Sequence, residues 1–264
     1  MIRSFVWMVS YDWRRAIPAA ARLWSYGAEH IFGLDSDGRT WGGDAFVAPD
    51  DSEIRRALHA AGLAPHELNA LRTVRAPYYR AGVPPSVLET EERNDLSRCA
   101  SHWPIFNLDA DEELVNPDEF FRWVEAQPPL GAFAWSGRGV PVYKVIGDTA
   151  LVFRTNQRIP LALGRAGIWT GPRSCRDWLD CPAKIINWFM AGRTDDELAL
   201  KFGAMSYIDD TWWGPALFAQ WRGTTLDNYQ HVRGFAKNFG QAPLVAIPVE
   251  DLRAGRWDAL ERPL

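Results

Sequence analysis

The opening segment constrains this chain most. Ile2 to Val9 is a β-rich, mostly apolar run that ends at Ser10-Tyr11-Asp12. Arg14 to Tyr26 carries Ile17, Ala20, Ala21 and Trp24 on one helical face, with Gly27 as a stop. His30 to Leu34 is a second short apolar run, closed by Asp35-Ser36-Asp37-Gly38. A buried strand, a helix and another buried strand in this order specify a parallel sheet covered by helices. The alternation continues. Asp50 to Glu53 starts a helix ending near Gly62, and Thr73 to Tyr79 reads as a strand. Ser86 and Glu89 have capping-box spacing and open a helix to about Ser101. Trp103 to Leu108 is a third apolar strand, and Asn116-Pro117-Asp118-Glu119 starts a helix that stops before Pro128-Pro129. From Gly131 to Phe153 the pattern turns to antiparallel-type runs split by glycine. Pro182 to Met190 is a strand or short helix, Thr194 with Glu197 forms another capping box, and Leu244 to Val249 is a Pro-bounded strand.

Composition narrows the class. A chain of 264 residues makes one large domain or two small ones, and 47% hydrophobic with 23% charged residues excludes global disorder and coiled coil. The net charge of −4 gives no reason to expect a nucleic-acid or anionic-membrane partner. Three cysteines, Cys99, Cys175 and Cys181, are too few for a disulfide framework and fit free thiols in a reducing cytoplasm. No run approaches the roughly 20 apolar residues of a transmembrane helix, so any membrane contact is expected to be peripheral. The 14 Trp residues suit stacking on sugar rings or bases, although most are expected in the core. The five His show no metal spacing, and there is no P-loop, G-x-G-x-x-G or G-x-S-x-G.

The segment richest in chemistry is Asp109-Ala110-Asp111-Glu112, at the end of an apolar strand. Ligands of open parallel sheets gather at carboxyl ends of strands, and two carboxylates one residue apart can hold a hard divalent cation, with phosphate oxygens completing its shell. On its own such a pair is more often a solvated acidic turn before a helix. Upstream lie Glu92-Arg93-Asn94 and Leu96-Ser97 on a helix, then the strand Trp103 to Leu108. Downstream come Ala183-Lys184-Ile185-Ile186-Asn187-Trp188, then Arg193-Thr194-Asp195-Asp196-Glu197-Leu198 and Lys201-Phe202. In this order the motifs resemble the GT-A glycosyltransferases, in particular their large family 2-like group. The histidine of the family's motif is Asn187 here, whose amide oxygen can still reach a metal. The family's His-Glu pair after a Gly-rich turn is replaced by Gly171-Pro172-Arg173-Ser174, so the resemblance assigns no general base.

The resemblance implies an α/β, Rossmann-like GT-A domain over residues 1–264: a mixed, mainly parallel central sheet flanked by helices. A nucleotide-sugar-binding half would occupy 1–112, an acceptor half 113–210 and a C-terminal extension 211–264. It implies transfer of a sugar from a nucleotide-diphosphate sugar, UDP-sugars first, to an acceptor hydroxyl, with inversion and with Mn²⁺ or Mg²⁺. Metal ligands are then expected among Asp109, Asp111 and Asn187, with Asp111 direct and Asp109 adjacent or on the ribose. Tyr11 and Asp35 are expected at the base pocket, and Arg93 near the diphosphate. As alternatives, Tyr11 suits a core tyrosine, Asp35 an Asx turn before Gly38, and Arg93 a salt bridge within its helix. For the base, Asp177 and Asp180 stand between aromatic and apolar residues that would raise a carboxyl pKa, with Asp209-Asp210 second. The acceptor stays open among a glycan, a lipid-linked sugar, a protein and a modified DNA base. A catalytically silent, Trp-rich protein binding carbohydrate or nucleotide sugar on the same scaffold is the alternative function. A sugar-nucleotide pyrophosphorylase would need a Gly-rich basic loop where Ser10-Tyr11-Asp12-Trp13 stands.

Overall fold

The computed structural model describes residues 2–9, 12–155, 157–171, 174–188, 190–191, 194–198, 215–232 and 242–261. The first part follows the order β1 (Ser4–Met8), α1 (Trp13–Leu23), β2 (Glu29–Asp35), α2 (Asp51–Ala60), β3 (Leu71–Ala76), α3 (Pro85–Cys99), β4 (Ile105–Asp109), β5 (Glu112–Val115) and α4 (Pro117–Glu125). Then come β6 (Ala134–Ile146), β7 (Thr149–Phe153), β8 (Arg158–Leu163), the small hairpin β9 (Trp169–Gly171) and β10 (Ser174–Cys175), and β11 (Trp178–Asn187). Helices α5 (residues 195–198) and α6 (Pro215–Gly223), strand β12 (Leu244–Pro248), and helices α7 (Val249–Arg253) and α8 (Asp258–Glu261) follow.

The fold is mixed α/β. Strands β4, β1, β2 and β3 lie side by side and all parallel, as the strand–helix alternation requires. Beyond β4 the sheet continues antiparallel through β8, β6, β7 and β12. Strand β11 runs parallel to β6 and antiparallel to β5. The parallel register pairs Met8 with Gly33 on one side and Asp109 on the other, so β1, β2 and β4 end at one edge.

Period-2 alternation sorts the core onto two faces. Phe5, Trp7, Phe32, Phe106 and Leu108 pack with Ala16, Ala20 and Leu23 of α1, Ile54 and Leu58 of α2, and Phe120 and Phe121 of α4. Val6, Met8, Ile31 and Ile105 pack instead with Leu96 of α3. Gly33 permits that approach: a Cβ there would collide with Leu96 and crowd the Glu92 carboxylate. The expected core role holds for Trp7, Trp13, Trp24, Trp135, Trp169 and Trp257, all buried.

Several local expectations change. Residues 112–115, read as part of an acidic approach to a helix, form β5, because Ile185 and Ile186 of β11 give the buried Leu114 and Glu113 a pairing partner. The Ser86–Glu89 capping box does not form. Helix α3 begins from Pro84 without a side-chain cap, and Glu89 turns to Arg93 instead. Asn116 takes the N-cap of α4 at φ 52° but makes no side-chain cap bond. The boxes Asp50–Glu53 and Thr194–Glu197 are present with both reciprocal bonds.

Candidate functional site

The acidic motif sits where β4 leaves the sheet. Asp109 is the last strand residue and follows the alternation onto the α3 face, where Arg93 waits. The Arg93 guanidinium is fully buried and donates to Asp109 Oδ1 at 2.6 Å and to Glu89 Oε1 at 2.7 Å. Burial alone would lower the Arg93 pKa, but the two carboxylates raise it well above its ordinary value. The Arg93 guanidinium also lies 5.8 Å from the centroid of the Trp169 ring. Arg93 is a fully buried counter-ion both for Glu89, within its own helix, and for Asp109, a carboxylate of the acidic turn.

Residues 110 and 111 form a turn, and it sends the next carboxylates elsewhere. Simple alternation expects Asp109 and Asp111 on the same side. Instead Asp111, Glu112 and Glu113 line a cavity of about 650 Å³ against α1. Its other walls include Arg15, Pro18, Ala19 and Arg22 of α1, Trp188, and Val249 and Arg253 of α7. Glu113 is held by three donors: Arg22, Trp188 Nε1 at 2.8 Å, and Arg253 Nε at 3.5 Å. Arg15 donates to the carbonyls of Trp188 and Ala191 at 3.2 and 2.6 Å. The Asp109 amide donates to Glu112 Oε2 at 3.0 Å, so the turn is braced by its own motif.

Asn187 joins this corner from β11. The register sets it opposite Glu112, and the next amide, Trp188 N, donates to the Asp111 carbonyl at 2.8 Å. The Asn187 side-chain oxygen is buried and has no hydrogen-bond partner among the described residues. A buried acceptor without a donor is costly, so a cation or a donor supplied by a ligand is its natural complement. Among the described residues, no three His, Cys, Asp or Glu side chains converge in an arrangement that could hold a metal ion.

The remaining expected residues separate from this corner. Asp35 is buried, and its two oxygens accept four backbone amides: Asp37 and Arg39 on Oδ1, Tyr78 and Tyr79 on Oδ2, at 2.8 to 3.1 Å. Its carboxylate therefore closes an Asx turn and ties the ends of β2 and β3 together, with its acceptor sites already taken. Asp177 and Asp180 are exposed, and Asp180 faces Arg158 at 3.2 Å. The register puts Asp180 opposite Ser136 and Asn187 opposite Pro141, about 17 Å along the strand at ~3.3 Å per residue. The burial expected to raise their pKa is absent, and they do not meet Asp111. Tyr11 and the Asp209-Asp210 pair lie outside the described residues.

Sequence reading missed Arg15, Arg22, Glu113, Trp188 and Arg253 as cavity residues. A signal existed for two of them: Arg15 and Arg22 stand seven apart, on one face of α1. It also missed Glu92 as a titrating group. Glu92 is fully buried beneath Trp41, whose Nε1 donates to Oε2 at 2.7 Å, while Oε1 has no partner. Burial pushes the Glu92 carboxyl up to about 8, and the Trp41 bond and the Arg93 charge offset only part of this.

No family model and no curated protein matches this chain. Among solved structures it is similar to a nucleotidyl transferase from Methanothermobacter thermautotroptrophicus. The identity is 18%, over 62% of this chain and 71% of that one, with a TM-score of 0.29. A superposition that loose carries no argument about fold or chemistry.

Proposed function

We propose that this chain is a glycosyltransferase of the GT-A type, moving a sugar from a nucleotide-diphosphate sugar to an acceptor hydroxyl with a divalent cation. One observation carries the reading: the D-x-D turn at the carboxyl end of β4 lies beside Asn187, a buried acceptor with no partner among the described residues. A carboxylate and an amide oxygen are hard donors that suit Mg²⁺ or Mn²⁺. Asp111 and Asn187 would hold the ion, and donor phosphate oxygens and waters would complete its shell. Asp109, neutralised by Arg93, would be a positioning residue that fixes the turn. When bound, the cation supplies Lewis-acid stabilisation of the charge that develops on the departing diphosphate. The chain's own part is to hold that turn rigid: Arg93 from the α3 face, and the Trp188 amide and the Glu112 carboxylate from the other. UDP is the nucleotide to test first.

Inversion would need a carboxylate base at the acceptor hydroxyl. With Asp177 and Asp180 remote, no described residue takes that role, and this favours keeping the silent binding protein as a second reading. Both are tested by incubating the full chain with UDP-sugars and Mn²⁺ in the absence of acceptor. The transferase reading expects slow, chelator-sensitive release of UDP, falling on the order of 10²-fold in Asp111→Asn. Nucleotide-sugar binding without any turnover would establish the second reading and overturn the first.

A further inference from the structure

A second feature lies away from the acidic turn, at the opposite end of β11. Four large apolar side chains are exposed at this corner: Phe133 at 45%, Ile168 at 63%, Trp178 at 47% and Leu179 at 48%. Backbone bonds bring their segments together. Gly164 N donates to Phe133 O, Ala166 N to Gly131 O, and Ala134 N to Asp177 O. Trp178 pairs in register with Ala134. An apolar cluster of this size on a water-soluble surface marks a contact site.

The chemistry around it indicates the partner. Phe133 and Ile168 stand within two residues of the turns at 131–132 and 165–166, and both are exposed. Arg165 and Arg176 flank them, both exposed and without an ion-pair partner among the described residues. Asp177 lies between them, and the charge of Asp180 is met by Arg158 at 3.2 Å. The corner is therefore net cationic. Exposed Trp, Phe and Ile side chains with guanidinium groups beside them match the boundary between acyl chains and anionic headgroups. A folded partner would call for a concave or flat complement, and the charges at Arg176, Asp177 and Asp180 guard the strand edge against pairing with a second copy.

We propose that this corner docks the protein onto an anionic lipid surface. Phe133, Ile168 and Trp178 enter at headgroup depth, and Arg165 and Arg176 pair with lipid phosphates. The docking does not depend on the glycosyl-transfer reading. The test is flotation of the full chain with vesicles of phosphatidylcholine alone and of phosphatidylcholine mixed with phosphatidylglycerol. Binding is expected on the mixed vesicles and should weaken with added salt. Ile168→Ser combined with Trp178→Ser should lower partitioning roughly tenfold or more. Replacing Arg165 and Arg176 by Gln should lower it about fivefold for each arginine. Circular dichroism melts should stay at the wild-type temperature, because the substituted side chains are exposed. No partitioning, equal partitioning on both vesicle types, or variants that bind as well as wild type would overturn the proposal. A dimer in light scattering that the Ile168/Trp178 variant dissociates would also overturn it, assigning the corner to a second copy.

Discussion

Asp109 and Asp111 are two residues apart and live in different environments. Asp109 faces α3, where a fully buried guanidinium is shared with Glu89 and no solvent reaches the cation. Asp111 opens, with Glu112 and Glu113, onto a cavity of about 650 Å³ bounded by α1 and α7. The turn at 110–111 separates a carboxylate paired with a buried guanidinium from three acidic residues on a cavity wall. The lesson is that a two-carboxylate motif need not act as one unit: here the first carboxylate pairs with Arg93 and the second stands on the cavity wall.

That contrast is open to measurement. Arg93→Met leaves the buried Glu89 and the partly exposed Asp109 without a counter-ion and should cost about 3–5 kcal/mol in urea unfolding. Asp111→Asn, on the open side, should change stability by less than about 1 kcal/mol while abolishing most turnover. If both variants lose stability equally, the two environments are not distinct. Asp35→Ala strips four backbone amides of their acceptor and should cost roughly 2–4 kcal/mol by the same measurement. A nucleotide affinity that falls while stability holds would return Asp35 to the base pocket.

Glu92 extends the contrast to pH. Its carboxyl is raised from 4.5 to about 8 in the fold, so the native state keeps a proton that the unfolded chain releases. The unfolded state then binds fewer protons between these values, and stability falls as pH rises from about 4.5 to 8. Glu92→Gln removes that dependence. Its stability should stay within about 1 kcal/mol of wild type near pH 5 and exceed it by roughly 4 kcal/mol near pH 8. A gap that does not widen with pH would mean that Glu92 is already ionised. The smallest effects are expected at Asp177→Asn and Asp180→Asn, with stability within about 0.5 kcal/mol and UDP release within about twofold of wild type. A large loss of turnover there would bring the far end of β11 back into the site.

The parallel half was legible in the sequence because burial on both faces leaves nearly continuous apolar runs, as in Phe5 to Val9 and, with only Asn107 intervening, Ile105 to Leu108. The position of Asp109 and Asp111 at the end of such a run was legible for the same reason. What alternation could not give was the turn at 110–111, since a period-2 pattern has no term for where a strand stops. Nor could it find β5, whose sequence Glu-Glu-Leu-Val looks like a helix approach until β11, seventy residues later, supplies its partner. The bonds from the Tyr78 and Tyr79 amides to Asp35 could not be read from the sequence, since only the β2–β3 pairing brings them near. Asp177 and Asp180 looked promising from their apolar neighbours, but on a solvent-exposed stretch of strand those neighbours bury nothing.

The clamp on Glu113 bears on how the molecule is made. Arg22 reaches it from the first helix and Arg253 from α7, so the cavity wall joins the beginning of the chain to its final segments. Strand β12 likewise pairs with β7 across roughly ninety residues. Contacts this distant close late, after the loop entropy between them has been overcome. On a ribosome the parallel sheet, with its Arg93 cluster, can assemble while the distal segments are still being added. The cavity cannot, because Val249 and Arg253 emerge more than two hundred residues after Arg22. A nascent chain stalled before residue 244 would carry the acidic turn with one wall missing and the β7 edge unpaired, a species recognisable by its aggregation.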